Sequence, residues 1–239
     1  MNVAAVQSKA VKGQKAETLH RLVHLSERAA HGRALDLLVL PEMAATGYIF
    51  PTAEAVRRVA ESPTGETFQA LAPVAQSFRT WLVVGFAEAA DDQLFNSALV
   101  INPAGELAFT YRKTLLFEAD EHWAAPGDSG YRTFDTDNGD FGVGICMDLN
   151  DDAFVQWCRE AAPRAIAFPT NWLDQGVPVW PYWAWRLGGV PSALVAANTY
   201  GREHTTHFAG SSAILDQGVL LAYAPPSGDG VLASSLDPC

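Results

Sequence analysis

The stretch Leu35 to Leu40 is interrupted only by Asp36 and ends in an unbroken apolar run, Leu37 to Leu40, that stops at Pro41-Glu42. A strand that reads as apolar at every position is buried on both faces, so the chain must cover a sheet from two sides. A second run behaves the same way. In Phe141-Gly-Val-Gly-Ile-Cys146-Met-Asp-Leu-Asn150, the apolar residues from Val143 to Ile145 deliver a cysteine and then break into Asp148 and Asn150. This predicts a buried strand from Phe141 to Cys146, a sharp turn, and a helix beginning near Asp151. Ligands of open α/β sheets gather at the carboxyl ends of strands, which is where Cys146 falls. A thiol at a strand-to-helix turn also faces a helix N-terminus, which favours thiolate. Free cysteine is equally among the most buried residue types, so the local sequence leaves Cys146 open between nucleophile and core residue.

The order of elements narrows the fold. Val3 to Gln7 reads as a strand. Glu17 to Ala30 carries Leu19, Leu22, Val23 and Ala29 at helical spacing. Leu35 to Leu40 is the next strand, Gly65 to Ser77 a second helix, and Trp81 to Ala87 a third strand, giving β-α-β-α-β. Asn96 to Asn102 and Glu106 to Lys113 flank Pro103-Ala-Gly105, a hairpin signal. Further strands are expected at Ala165 to Pro169, Leu194 to Ala197, Ser211 to Leu215 and Val219 to Tyr223, where the strand pattern closes. The stretch from Trp172 to Trp185 holds four tryptophans and suits a buried wall or an interface. No repeat or linker is visible. One α/β domain over residues 1–239, two mixed sheets packed together with helices outside, buries this many strands most simply.

Composition excludes several classes of function. A hydrophobic content of 49% with 18% charged residues is globular. The net charge of −11 opposes binding to nucleic acid or an anionic membrane. No segment is long and apolar enough for a membrane span, and the first residues lack a signal-peptide pattern. The three cysteines, Cys146, Cys158 and Cys239, are too sparse for a disulfide framework, so a reducing, cytoplasmic setting is expected. With no CxxC or HExxH pattern, and the histidines scattered apart from the pairs His20/His24 and His204/His207, no metal site is expected. Cys158 and Cys239 read as structural or incidental.

Three further residues stand where chemistry is possible. Glu42 emerges at a strand end beside a tight turn, Lys113 ends the Phe109-Thr-Tyr-Arg-Lys run, and Glu121 follows in Glu118-Ala-Asp-Glu-His-Trp123. Singly, each reads as a solvated surface charge. With Cys146 they form a pattern: Pro-Glu-x-x-x-Thr-Gly-Tyr over 41–48, Tyr-Arg-Lys-Thr-x-Leu-Phe over 111–117, and Gly-Ile-Cys-x-Asp over 144–148. These motifs, their order, and the 33-residue step from Lys113 to Cys146 resemble the nitrilase superfamily of carbon–nitrogen hydrolases. The resemblance extends to Phe208-Ala-Gly-Ser-Ser212 and covers nearly the whole chain.

That resemblance implies a four-layer α-β-β-α sandwich with a Glu42, Lys113 and Cys146 triad and no cofactor. It implies a second active-site glutamate, assigned here to Glu121 with Glu118 as the competing choice. Cys-Met-Asp-Leu, in place of the commoner Cys-Tyr-Asp, together with Asp120-Glu-His-Trp123, is most similar to the fungal protein N-terminal amidases, which deamidate N-terminal Asn and Gln. The expected reaction is hydrolysis of a carboxamide through a thioester with release of ammonia. Cys146 attacks, Glu42 shuttles protons, and Lys113 with the backbone N–H of Met147 holds the oxyanion. Asn171, Trp172, His122 and Trp123 are the expected substrate contacts, and Asp148 is read as a cap of the following helix. The substrate is a small amide or a peptide N-terminus, and the aromatic stretch and the family pattern imply a homo-oligomer. The alternatives are an N-carbamoyl amide hydrolase and a non-catalytic binding protein on the same fold. A papain-like mechanism is disfavoured because no histidine motif accompanies Cys146.

Overall fold

The computed structural model describes residues 1–237; the reading of Cys239 lies outside them. The chain begins with β1 (Asn2–Gln7), α1 (Lys15–Ala30), β2 (Leu37–Val39), α2 (Ala53–Arg57), α3 (Glu66–Phe78) and β3 (Trp81–Ala90). A meander follows: β4 (Gln93–Ile101), β5 (Leu107–Arg112) and the single turn α4 (Glu118–Glu121). The second half runs β6 (Thr133–Phe134), β7 (Phe141–Val143), a 3-10 turn (Cys146–Asn150), α5 (Asp152–Ala161), β8 (Ala165–Thr170), α6 (Trp180–Arg186) and β9 (Ala193–Asn198). It ends with β10 (Tyr200–Glu203), β11 (Thr206–Ala209), β12 (Ala213–Asp216), β13 (Val219–Tyr223) and β14 (Gly230–Ser235).

Two six-stranded mixed sheets result, ordered β14-β1-β2-β3-β4-β5 and β6-β7-β8-β9-β12-β13, with β10 and β11 as a separate hairpin. Each sheet has three parallel strands flanked by antiparallel ones. The same topology thus occurs twice, although the sequence shows no repeat. Alternation along the strands explains the layers. Val3, Ala5, Leu37, Val39 and Val83 enter the core between the sheets, whereas Ala4, Val6, Leu38, Leu40 and Leu82 pack under α1 and α3. Helices α5 and α6 cover the second sheet, with Phe154 and Trp183 fully buried. This is the expected four-layer sandwich.

Some boundaries differ from the sequence reading, for identifiable reasons. The strand expected to reach Cys146 stops at Val143. Gly144 still donates to Ala167 O at 3.1 Å, but the Ile145 N–H is taken by the Asp148 carboxylate at 2.9 Å, which ends the ladder and begins the turn. The tryptophan-rich stretch contains α6, with Pro181 in its first turn, a position that costs the helix no hydrogen bond. Trp172 and Trp183 pack edge to face at 5.8 Å, and Trp185 is 69% exposed, so the stretch is only partly a buried wall. The chain does not close at β13: β14 returns to pair antiparallel with β1 at the edge of the first sheet. Its small and polar residues, Ala233, Ser234 and Ser235, gave no strong apolar signal.

Candidate active site

Glu42 leaves β2, Lys113 leaves β5, and Cys146 follows β7; the strand ends of both sheets open toward one place. The path of Glu42 depends on a bare backbone beside it. Gly85 of β3 lies so close that a Cβ there would sit 2.4 Å from Glu42 Cα, and it exchanges backbone hydrogen bonds with the Pro41–Ala44 turn. The residue after Glu42, Met43, has φ 49°, and Cys146 itself has φ 44°. Left-handed conformations are unfavourable for such side chains and persist only where the surroundings impose them.

At Cys146 the surroundings are built by Asp148. Its carboxylate is fully buried and accepts four hydrogen bonds, from Ile145 N, Thr114 N, Leu115 N and the Tyr111 hydroxyl, at 2.7–3.0 Å. It therefore ties the cysteine turn to the segment that carries Lys113. The expected capping role belongs instead to Asp151, whose side chain accepts from Ala153 N at 2.9 Å.

Lys113 has no exposed surface, and its ammonium donates to Glu42 Oε1 and to Asp120 Oδ2, both at 2.7 Å. Asn96 of β4 bridges the same carboxylates, donating to Glu42 Oε1 at 2.7 Å and Asp120 Oδ1 at 3.1 Å. Buried charges in this state are tolerable only when paired and hydrogen-bonded, as these are. Two of the three ammonium protons of Lys113 are thereby used and one is left. Glu42 Oε2, also buried, has no hydrogen-bond partner within the protein.

The second acidic residue is therefore Asp120. Glu121 and Glu118 both face solvent, and neither meets Lys113. Helix α4 is one turn long, and Asp120 folds back so that its carboxylate also accepts from Phe117 N at 3.2 Å. Glu121 is rotated about 100° onward around the helix, away from the cluster. The family pattern points to a glutamate, but in this chain the aspartate beside it makes the contact. Asn96 carried its own signal, a carboxamide inside an apolar strand.

Electrostatics follow from burial. It pushes the Cys146 thiol up to about 12, with the Glu42 charge acting in the same direction and Lys113 against it. Burial raises Glu42 above the usual carboxylate range, opposed mainly by Lys113. At Lys113 burial disfavours the charge, but Glu42, Tyr48 and Asp120 outweigh it and hold the ammonium well above its ordinary value. At neutral pH Cys146 is therefore a thiol rather than a thiolate.

The thiol opens into a cavity of about 90 Å³. Asn150, Asn171 and Gln175 supply its polar walls, and Tyr48, Phe117 and Trp172 its aromatic ones, with Met147 and Leu173 at the same cavity. Asn171 donates to Glu42 O at 3.0 Å, which fixes its side chain. Met147, Asn171 and Trp172, expected at the substrate, line this cavity. His122 and Trp123 do not line this cavity. His122 is exposed, its ring nitrogen 3.2 Å from Phe50 O, and Trp123 packs with Met43, Tyr48 and Val56 in a separate apolar cluster. Tyr48 and Phe117 were legible in the motifs but not singled out. Among the described residues there is no cluster of potential metal ligands and no helix long and apolar enough to cross a membrane.

Comparison with known proteins adds to this geometry. The sequence profile of the carbon–nitrogen hydrolase family matches residues 2–238. A nitrilase from Pyrococcus abyssi is 34% identical over 190 residues, covering 78% of this chain and 71% of that protein. The protein N-terminal amidase of Saccharomyces cerevisiae is 28% identical over 206 residues, covering 73% of this chain but only 45% of the yeast protein's length. A crystal structure of N-terminal amidase with an Asn-Glu-Ala peptide superposes with a TM-score of 0.86 at 19% identity, over 99% of this chain and 97% of that one.

Proposed function

Because the chain belongs to the carbon–nitrogen hydrolase family, we propose that it is an amidase that hydrolyses a carboxamide through a thioester on Cys146. The observation that carries the reading is the Lys113 ammonium pinned between Glu42 and Asp120 beside a thiol in a left-handed turn. A thiol pushed up to about 12 is not a nucleophile by itself, so it needs a base. Glu42, with its unpartnered Oε2, takes the thiol proton as sulfur bonds to the amide carbon. The remaining N–H of Lys113 and the backbone N–H of Met147 receive the oxyanion. As the C–N bond breaks, Glu42 returns the proton to nitrogen and ammonia leaves. Water then attacks the thioester, giving up a proton to Glu42, and the carboxylic acid and the thiol are released. Asp120 and Asn96 hold Lys113 and Glu42 in register throughout.

The finer reading is that the carboxamide belongs to an N-terminal Asn or Gln of a peptide. The Cys-Met-Asp-Leu motif and the likeness to the yeast N-terminal amidase support it. The test is ammonia release from simple amides and from peptides beginning with Asn, Gln, Asp or Glu. Release from Asn- or Gln-peptides, lost in Cys146→Ala, is expected. Release from simple amides alone would remove the peptide reading, and none from any amide would remove the amidase.

A further inference from the structure

We infer that the cavity at Cys146 selects by the sign of charge: it takes neutral or cationic acyl groups and turns away those with a carboxylate near the scissile amide. That the selected molecules are amides rests on the reading above; the selection itself rests on the walls. None of the residues lining the cavity is Lys, Arg or His. The nearby cation, Lys113, is spent on two carboxylates at 2.7 Å and has no exposed surface. A substrate carboxylate entering here would lose water and meet no cation other than one already paired with Glu42 and Asp120. The whole chain, at net charge −11, opposes the approach of anions as well.

The same walls tolerate a positive charge. Tyr48, Phe117 and Trp172 line the cavity, and aromatic rings attract ammonium groups, as the Lys113 ammonium 5.6 Å from the Tyr48 ring centre illustrates. The side-chain amide of Asn171 is 3% exposed and oriented by its bond to Glu42 O, and its Oδ1 has no partner in the protein. It remains free to accept an N–H. Selection of this kind works by leaving the wrong ligand unpaired rather than by binding the right one more strongly.

Two measurements test this. The first is independent of turnover: alkylation of Cys146 by iodoacetamide and by iodoacetate, followed by peptide mass spectrometry, with glutathione as the reference thiol. Cys146 is expected to prefer the neutral reagent at least about tenfold more than glutathione does. The second compares kcat/KM for butanamide, 4-aminobutanamide and succinamate at one ionic strength. The first two are expected within about tenfold of each other, and succinamate at least about a hundredfold lower, since a buried unpaired charge is costly. Gln175→Arg, which adds a cation at the exposed edge of the cavity, should narrow the succinamate gap. Equal alkylation ratios, or succinamate matching butanamide, would overturn the inference. A retained alkylation preference with no ammonia from any amide would sustain charge selection while removing the amidase reading.

Discussion

Cys146 and Cys158 make an instructive pair. Both are free and buried, and burial pushes both thiols up to about 12. By burial and acidity they are indistinguishable. The difference lies in what surrounds them. Cys158 sits within α5 with regular helical backbone, among the apolar residues of the core, and the two charges that act on its thiol, Arg159 and Asp148, oppose each other. Cys146 is held at φ 44° by a turn that Asp148 ties to the Lys113 segment, and it opens into a cavity next to Glu42. Burial is common to both thiols, and it is the neighbours of Cys146 that support reading it, and not Cys158, as the nucleophile.

The sharpest way to break this comparison is to remove each sulfur in turn. Cys146→Ala should lower amide turnover by at least about ten-thousandfold, as expected when the covalent nucleophile of a concerted site is lost. Cys158→Ala should leave kcat/KM within about twofold, since ordinary core changes do not touch the reacting atoms. Ammonia release from the two variants, with circular dichroism to confirm folding, decides it. Equal losses would mean that the effect at Cys146 is structural.

Two neighbours on α4 sharpen the point. Asp120→Asn removes one of the two charges on Lys113 while keeping the shape, and should cost about a hundredfold in kcat, the scale of losing electrostatic support at a reacting centre. Glu121→Gln should change the rate by less than about twofold, because its side chain is in solvent. A larger loss at Glu121 than at Asp120 would overturn the assignment made from the geometry.

This pair also marks how far the sequence could be read. Alternation and apolar runs exposed the two-sheet core, because burial on both faces writes itself into every residue of β2 and β8. Glu42 and Lys113, read from separate stretches, meet at 2.7 Å. What could not be read was side-chain direction within a one-turn helix: nothing in Glu-Ala-Asp-Glu says which carboxylate folds inward until Phe117 N and Lys113 are in place. Asp148 was misread for a related reason. Its partners, Thr114 N and Leu115 N, are distant in sequence, whereas a helix cap is local. Edge strand β14 was missed because its pairing with β1 needs little apolar character.

The pH dependence offers a gentler test. Burial raises Glu42, so the base is lost as pH falls through a value above the usual carboxylate range, and kcat/KM should decline there. Cys146, pushed up to about 12, is protonated throughout the neutral range. Its alkylation by iodoacetamide in the wild-type protein should then rise with pH from ~7 to ~10 with no plateau, because only thiolate reacts. A plateau near neutral pH would show a resting thiolate and remove the need for Glu42 as base.

The smallest expected effect returns to Cys158. Its side chain is wholly buried against α5's own core face, with Phe154 and Val155 in the same helix also pointing inward. Replacing it by alanine deletes one sulfur and leaves a small void that rigid neighbours fill only partly. The expected loss is about 1–2 kcal/mol, seen as a fall in Tm of about 2–8 °C for a chain of this size. Catalysis should be untouched, so Cys158→Ala moves stability without rate. Cys146→Ala should do the reverse, because its left-handed turn is relieved of no strain by alanine and little apolar packing is lost at the cavity wall. Thermal melts of both variants, set beside their rates, separate the two roles. A melt lowered as much at Cys146 as at Cys158, with turnover intact, would put both cysteines in the core.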